Sequence, residues 1–373
     1  MATIERVEAT AVRVPLANPP SFAGREVPAR EYTLVRVTDS DGLHGVGFLH
    51  AGAIGARLGS LAVRELLAPL LVGSDPTETE ALWARMYQGT LLHGRLGIVL
   101  RAISAVDQAL WDRNARAADT PLWRYLGGAT SESISLYASG GYYLPGKGPE
   151  GVAEEVAGYV RDGFTAVKIK VGRGPIEEDE ARVAAAREAI GDDVELMLDA
   201  NNAWSDLLTA LDAMRRFEPH RPAWIEEPFS PDDIANHVRL ARRTPIPVAT
   251  GEIEGARWRQ EDLLAADGIA LLQTDAGVCG GVTEFRRIAA MASSRGVSIY
   301  PHAFHHLHVH LAASSPNIGR VEYFTNNEVV NFPELVDWQP EVVDGRMLLP
   351  ERPGTGYDFL PDVVEQHQLE PWG

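Results

Sequence analysis

Two lysines two residues apart, Lys168 and Lys170, sit in the run Phe164 to Val171, which otherwise reads as a buried strand. Alternate strand residues point to one face, so both ammonium groups project together. Repulsion and desolvation would lower at least one of their pKa values toward the range where a neutral amine accepts a proton. The plainer alternative is an edge strand whose lysines discourage aggregation. Downstream, apolar runs end in turn at Asp199, Glu226, Glu252, Asp275, His302 and Glu322, at intervals from Lys170 of 29, 27, 26, 23, 27 and 20 residues. Each interval fits one strand, one helix and two loops. Polar residues at strand C-termini are where a parallel α/β barrel keeps its chemistry.

On that spacing Asp199, Glu226 and Glu252 converge from the third, fourth and fifth strands of a barrel. Three carboxylates so placed call for a hard divalent cation, and Mg²⁺ with open positions for substrate and water fits best. The alternative for each is a cap on the helix that follows it. Asp275 would orient His302, across the rim from Lys170 with the metal ligands between. The metal and Glu322 would stabilise the charge that develops when a proton leaves a carbon beside a carboxylate.

These side chains need a scaffold, and the rest of the 373-residue chain supplies one. Residues 1–128 read as an α+β domain. Its three antiparallel strands lie at Ile4 to Val14, Tyr32 to Val37 and Leu43 to Phe48, with helices at 57–71, 78–88 and 95–117. The breaker-rich stretch Asn18 to Glu26 reads as an irregular, mobile loop. Residues 129–328 alternate strand and helix, giving eight strands and seven intervening helices, an α/β barrel whose last helix is missing or altered. Residues 329–373, with six prolines, read as a mostly irregular segment packing back on the first domain.

A formal charge of −18 argues against a nucleic-acid or anionic-membrane partner. One cysteine, Cys279, excludes an internal disulfide. The N-terminal charges and the absence of a long apolar run point to a cytoplasmic protein.

With these residues in place, the chain resembles the enolase superfamily, mandelate racemase subgroup. The likeness rests on Lys168-x-Lys170, Asp199 with Asn201, Trp224-Ile225-Glu226-Glu227-Pro228, Gly251-Glu252, Asp275, Pro301-His302 and Glu322, and on Ser104 to Asp112 before the barrel. It implies a capping domain over a (β/α)7β modified TIM barrel, with Lys170 as one base and the His302–Asp275 dyad as the other. Lys168 would tune Lys170 beside the substrate carboxylate, and Asn201 would contact substrate. Among members, the stretches 137–148 and 174–179 are similar to D-tartrate dehydratase.

The expected activity is Mg²⁺-dependent dehydration of a polyhydroxy acid or diacid to a 2-keto acid, by α-proton abstraction and enediolate stabilisation. A racemase or epimerase, and a non-catalytic binding protein on the same fold, are the alternatives. The partner is a small carboxylic acid, with the protein itself expected as a homo-oligomer. Lys147 and Arg25, on loops expected to close over substrate, are candidates for a distal carboxylate. The histidines at 302, 305, 306, 308 and 310 could suggest zinc, but His308-x-His310 lies in a helix after the seventh strand, where a metal-hydrolase barrel carries that pattern on its first strand, and no His-Glu-x-x-His is present.

Overall fold

The computed structural model describes residues 2–17, 19–22, 25–128 and 132–373. Strands Ile4–Pro15, Ala29–Asp39 and His44–His50 form an antiparallel sheet in that order. The expected irregular loop carries a small hairpin, Ser21–Phe22 paired with Arg25–Glu26. Asn18, Ala23 and Gly24 of that stretch lie outside the described residues.

The helix Ile98–Ala117 joins this sheet to the barrel, and its sequence shows how. One face packs so closely on His44–His50 that a Cβ on Gly47 would lie 2.1 Å from the Ala105 carbonyl. Only glycine permits that approach. Gln108 accepts from the Phe48 N–H and donates to the Phe48 carbonyl. Toward the barrel, Ser104 accepts from the Gly280 N–H, Trp111 donates to the Thr283 hydroxyl, and Asp107 accepts from the Thr283 N–H and hydroxyl. Asp112 takes the Val46 and Thr355 N–H groups. The segment Ser104 to Asp112 is thus a joint between cap, barrel and C-terminal segment.

Asp107 is fully buried, and burial pushes its carboxyl up to about 7 against the pull of the Thr283 bonds. Asp107→Ala would strand both Thr283 donors and is expected to destabilise the fold by about 2–4 kcal/mol, read from urea unfolding. A change within about 0.5 kcal/mol would show that the joint carries no stability.

Eight parallel strands follow: Ser133–Gly140, Ala166–Lys170, Glu195–Asp199, Trp224–Glu226, Val248–Thr250, Leu271–Leu272, Ser298–Ile299 and Val321–Tyr323. Each pairs with the next through the seventh. The eighth pairs with the first, Val321 opposite Leu136, and a single bridge between Ile299 and Ile318 completes the circle. Seven helices, from Pro149–Arg161 to His305–Ser314, fill the gaps. This is the (β/α)7β barrel with an α+β cap. Alternation divides the second strand: Val167 and Ile169 join the outer core beneath the helices, while Ala166 joins Tyr137, Met197, Trp224, Ala249 and Leu271 inside. Lys168 and Lys170 continue that inward row toward the rim.

The C-terminal segment is more regular than its prolines imply. Arg346–Leu348 pairs antiparallel with Ser133 to Ser135, extending the first barrel strand outward. Pro361 starts the helix Pro361–His367, where its missing N–H costs nothing. Phe332, Leu335, Tyr357, Phe359 and Val364 share a core with Val12, Val14, Tyr32, Leu34 and Phe48 of the cap. No helix among the described residues is long and apolar enough to cross a membrane.

Candidate active site

Register brings the first functional groups level. Lys170 is the Cα partner of Asp199, and Asp199 of Glu226, each the last residue of its strand. Lys170 hydrogen-bonds Asp199. Lys168 Nζ donates to both Glu226 oxygens at 2.9 Å, lies 2.9 Å from Glu322 Oε1 and 3.8 Å from Asp199 Oδ2. The edge-strand alternative is excluded, because Ala166–Lys170 lies between the first and third barrel strands and both lysines are buried.

The expected depression of a lysine pKa is reversed. Burial pulls both down, but Glu226 and Glu322 hold Lys168 well above its ordinary value, and Asp199 does the same for Lys170. The sequence shows the two like charges side by side but not the carboxylates that the barrel packs around them. Against burial, Lys168 and His302 hold Glu322 below the usual range, and the two lysines hold Asp199 below it. Acid still exceeds base here. Burial, reinforced by Asp199, pushes Glu226 up to about 8.

On the far side, Asp275 Oδ2 holds His302 Nδ1 at 2.9 Å, leaving Nε2 3.6 Å from Glu252 Oε1. Burial would neutralise this imidazole, yet Glu252 and Asp275 raise it to about 9. Asp275 is fixed in turn by the Gly277 N–H. Lys170, Asn201, Glu252, Asp275 and His302 all line one cavity of about 460 Å³.

A divalent cation can be tested against these groups. Among the described residues, no three acidic or histidine side chains stand ready as a metal cage; the Lys168 ammonium bridges the carboxylates instead. The donor set nonetheless fits a hard cation. Asp199 and Glu226 end their strands and Glu252 lies two residues past Val248–Thr250, so each offers carboxylate oxygen, and Glu252 Oε2 is buried with no hydrogen-bond partner.

Other expectations fare unequally. Asn201 lines the cavity, and its Oδ1 is buried without a partner. Lys147 is turned away, paired with Glu155 at 2.8 Å beside a small neighbouring cavity. The nearby carboxylate claims it. Arg25 belongs to the small hairpin, and its side chain lies outside the described residues. The helix histidines form no metal site. His308 bonds the Ala303 carbonyl and the Ala276 N–H, His306 bonds Gln339, and His310 bonds the Thr355 carbonyl and the Trp123 N–H.

Residues 4–127 match the family model for the mandelate racemase / muconate lactonizing enzyme N-terminal domain, and 151–363 match the enolase C-terminal domain-like model. The chain belongs to the enolase superfamily, mandelate racemase subgroup. It is 33% identical over 349 residues to arabinonate dehydratase of Saccharolobus solfataricus, covering 91% of each chain. It is 34% identical over 372 residues to L-talarate/galactarate dehydratase of Salmonella typhimurium, covering 98% of this chain and 91% of the relative. A solved structure of a racemase from Streptomyces coelicolor A3(2) with bound magnesium superposes with a TM-score of 0.91 at 32% identity, covering 98% of this chain and 100% of its own.

Beyond the residues singled out from sequence, this enolase-superfamily site contains Glu227, Arg30, His50 and Arg101. Glu227 is buried in a left-handed backbone conformation, φ 41°, and holds Asn202 at 2.6 Å. Burial and Glu252 push its carboxyl well above the usual range. Its signal was the second acid of Trp224 to Pro228, overshadowed by Glu226. Arg30, His50 and Arg101 come from the cap and line the same cavity. Nothing in the local sequence of Arg101 marks it.

Proposed function

We propose that the protein is a Mg²⁺-dependent hydro-lyase that converts a polyhydroxy acid or diacid to a 2-keto acid. The observation that carries this reading is the pairing of two different proton carriers, Lys170 and the Asp275-held His302, in one cavity beside the acidic rim. Asp199, Glu226 and Glu252 would hold the metal. Bound there, Mg²⁺ supplies an electrophile for the substrate carboxylate, acidifying the α-carbon, and offsets the carboxylate charge that otherwise keeps Lys170 protonated.

The chain's own groups then divide the work. Lys170, as the free amine, removes the α-proton, and Lys168 and Glu322 at 2.9 Å fix the polar floor beneath the growing enediolate charge. His302, held at Nδ1 by Asp275, donates its proton to the departing β-hydroxyl, which leaves as water. The enol tautomerises to the 2-keto acid. Asn201 offers an unpartnered oxygen to a substrate hydroxyl.

The racemase alternative uses the same two groups without loss of water, and the racemase structure among the neighbours keeps it in view. The dehydratases among the relatives, at 33% and 34% identity, favour elimination. Incubating the protein and Mg²⁺ with a panel of sugar acids and diacids is expected to give 2-keto acid from at least one. Excess chelator is expected to stop it. Full activity in chelator would overturn the metal assignment.

A further inference from the structure

The cavity has a second cationic pole, opposite in origin to the barrel rim. Arg101, in the first turn of the cap helix Ile98–Ala117, and Arg30, in the cap strand Ala29–Asp39, both line it. Arg101 Nη1 donates to the His50 carbonyl at 3.2 Å, and Arg30 Nε to the Val329 carbonyl at 2.8 Å. Those bonds fix the stems and use only part of each guanidinium. Among the described residues neither forms an ion pair; of the other buried arginines, Arg113 is paired with Asp39 and Arg182 is held by the Gly141 and Lys147 carbonyls. Arg30 is only 7% exposed. His50 lies between them in sequence and lines the same wall, with Nε2 buried and unpartnered.

A buried guanidinium without an anion is costly unless a ligand brings one. A planar fork aimed into a cavity is matched by a carboxylate, which it can bind with two parallel hydrogen bonds. The barrel pole already accounts for one substrate carboxylate. We propose that Arg101, supported by Arg30, binds a second carboxylate, so that the substrate is a sugar diacid held by both ends, with His50 taking a hydroxyl between them. This rests on the dehydratase reading and narrows its substrate class. It also moves the distal contact from Lys147, which Glu155 occupies, to the cap helix.

Binding of matched acids to the Mg²⁺-loaded protein tests this directly. Tartrate is set against threonate and galactarate against galactonate, with dissociation constants from calorimetry and 2-keto acid formation followed in parallel. The wild type is expected to prefer at least one diacid over its monoacid. In Arg101→Gln that preference is expected to fall about 100-fold, chiefly through KM where turnover is seen. Arg101→Lys should restore part of it, as a charge without the fork. A structural role for Arg101, or one confined to offsetting Glu252 and Asp275, would weaken both acids equally and overturn the assignment. So would a wild type with no diacid preference. If the wild type binds a diacid selectively but forms no 2-keto acid, the dehydratase reading falls, and the Arg101→Gln ratio still decides the second pole.

Discussion

His302→Asn and Lys170→Ala are expected to fail in different ways. In His302→Asn, 2-keto acid formation falls by at least about 10³-fold while the substrate α-proton still exchanges with D₂O. In Lys170→Ala both are lost to a similar degree. The distinction comes from where each group sits. Lys170 ends the second barrel strand against Asp199, whereas His302 sits across five strand positions with its own carboxylate, Asp275. Neither can take the other's place, because Asp275 holds Nδ1 and leaves only Nε2 to face the cavity. Asn keeps a donor toward Asp275 but cannot supply a proton. Exchange lost in His302→Asn and kept in Lys170→Ala would reverse the two roles.

Glu252→Gln is expected to abolish turnover, by at least about 10³-fold, and to weaken Mg²⁺ binding measured by calorimetry, with little change in thermal unfolding. Of the three proposed ligands, Glu252 is the one whose removal leaves both lysines their partners. Asp199 and Glu226 also hold the lysines, so their loss disturbs two functions at once. Glu252 makes no hydrogen bond to either lysine, and its Oε2 is unpartnered in the buried rim. The amide fills the same space and loses the charge, a loss that also lowers the pKa of the His302 imidazole, so the Mg²⁺ affinity and not the turnover reports on the metal site. An unaltered Mg²⁺ affinity would remove Glu252 from the metal site.

The strand ends were legible because a (β/α) unit has a nearly fixed length, so one polar residue per unit announces a rim. Lys170, Asp199 and Glu226 fall at their strand ends as the spacing requires. Protonation was not legible. Two lysines on one face predict mutual depression, whereas the folded barrel brings Glu226, Glu322 and Asp199 from remote sequence to their heads and raises both. The cap's contribution was hidden for a related reason. Arg101 opens a helix whose remaining turns are buried, and in sequence it reads as an ordinary solvated end. Only the joint through Ser104, Asp107 and Asp112 fixes that helix over the rim. Lys147 shows the converse, since a loop lysine near the right strand was claimed by Glu155 eight residues on.

The central claim is loss of water following α-proton removal, and one measurement addresses it most directly. The wild-type protein with Mg²⁺ is incubated in D₂O with its best acid substrate, and the products are followed by proton NMR and by 2-keto acid trapping. A 2-keto acid that carries solvent deuterium at C3 is expected, formed in amounts that match the substrate consumed. Accumulation of the C2 epimer with deuterium at C2, and no 2-keto acid, would contradict it and establish a racemase.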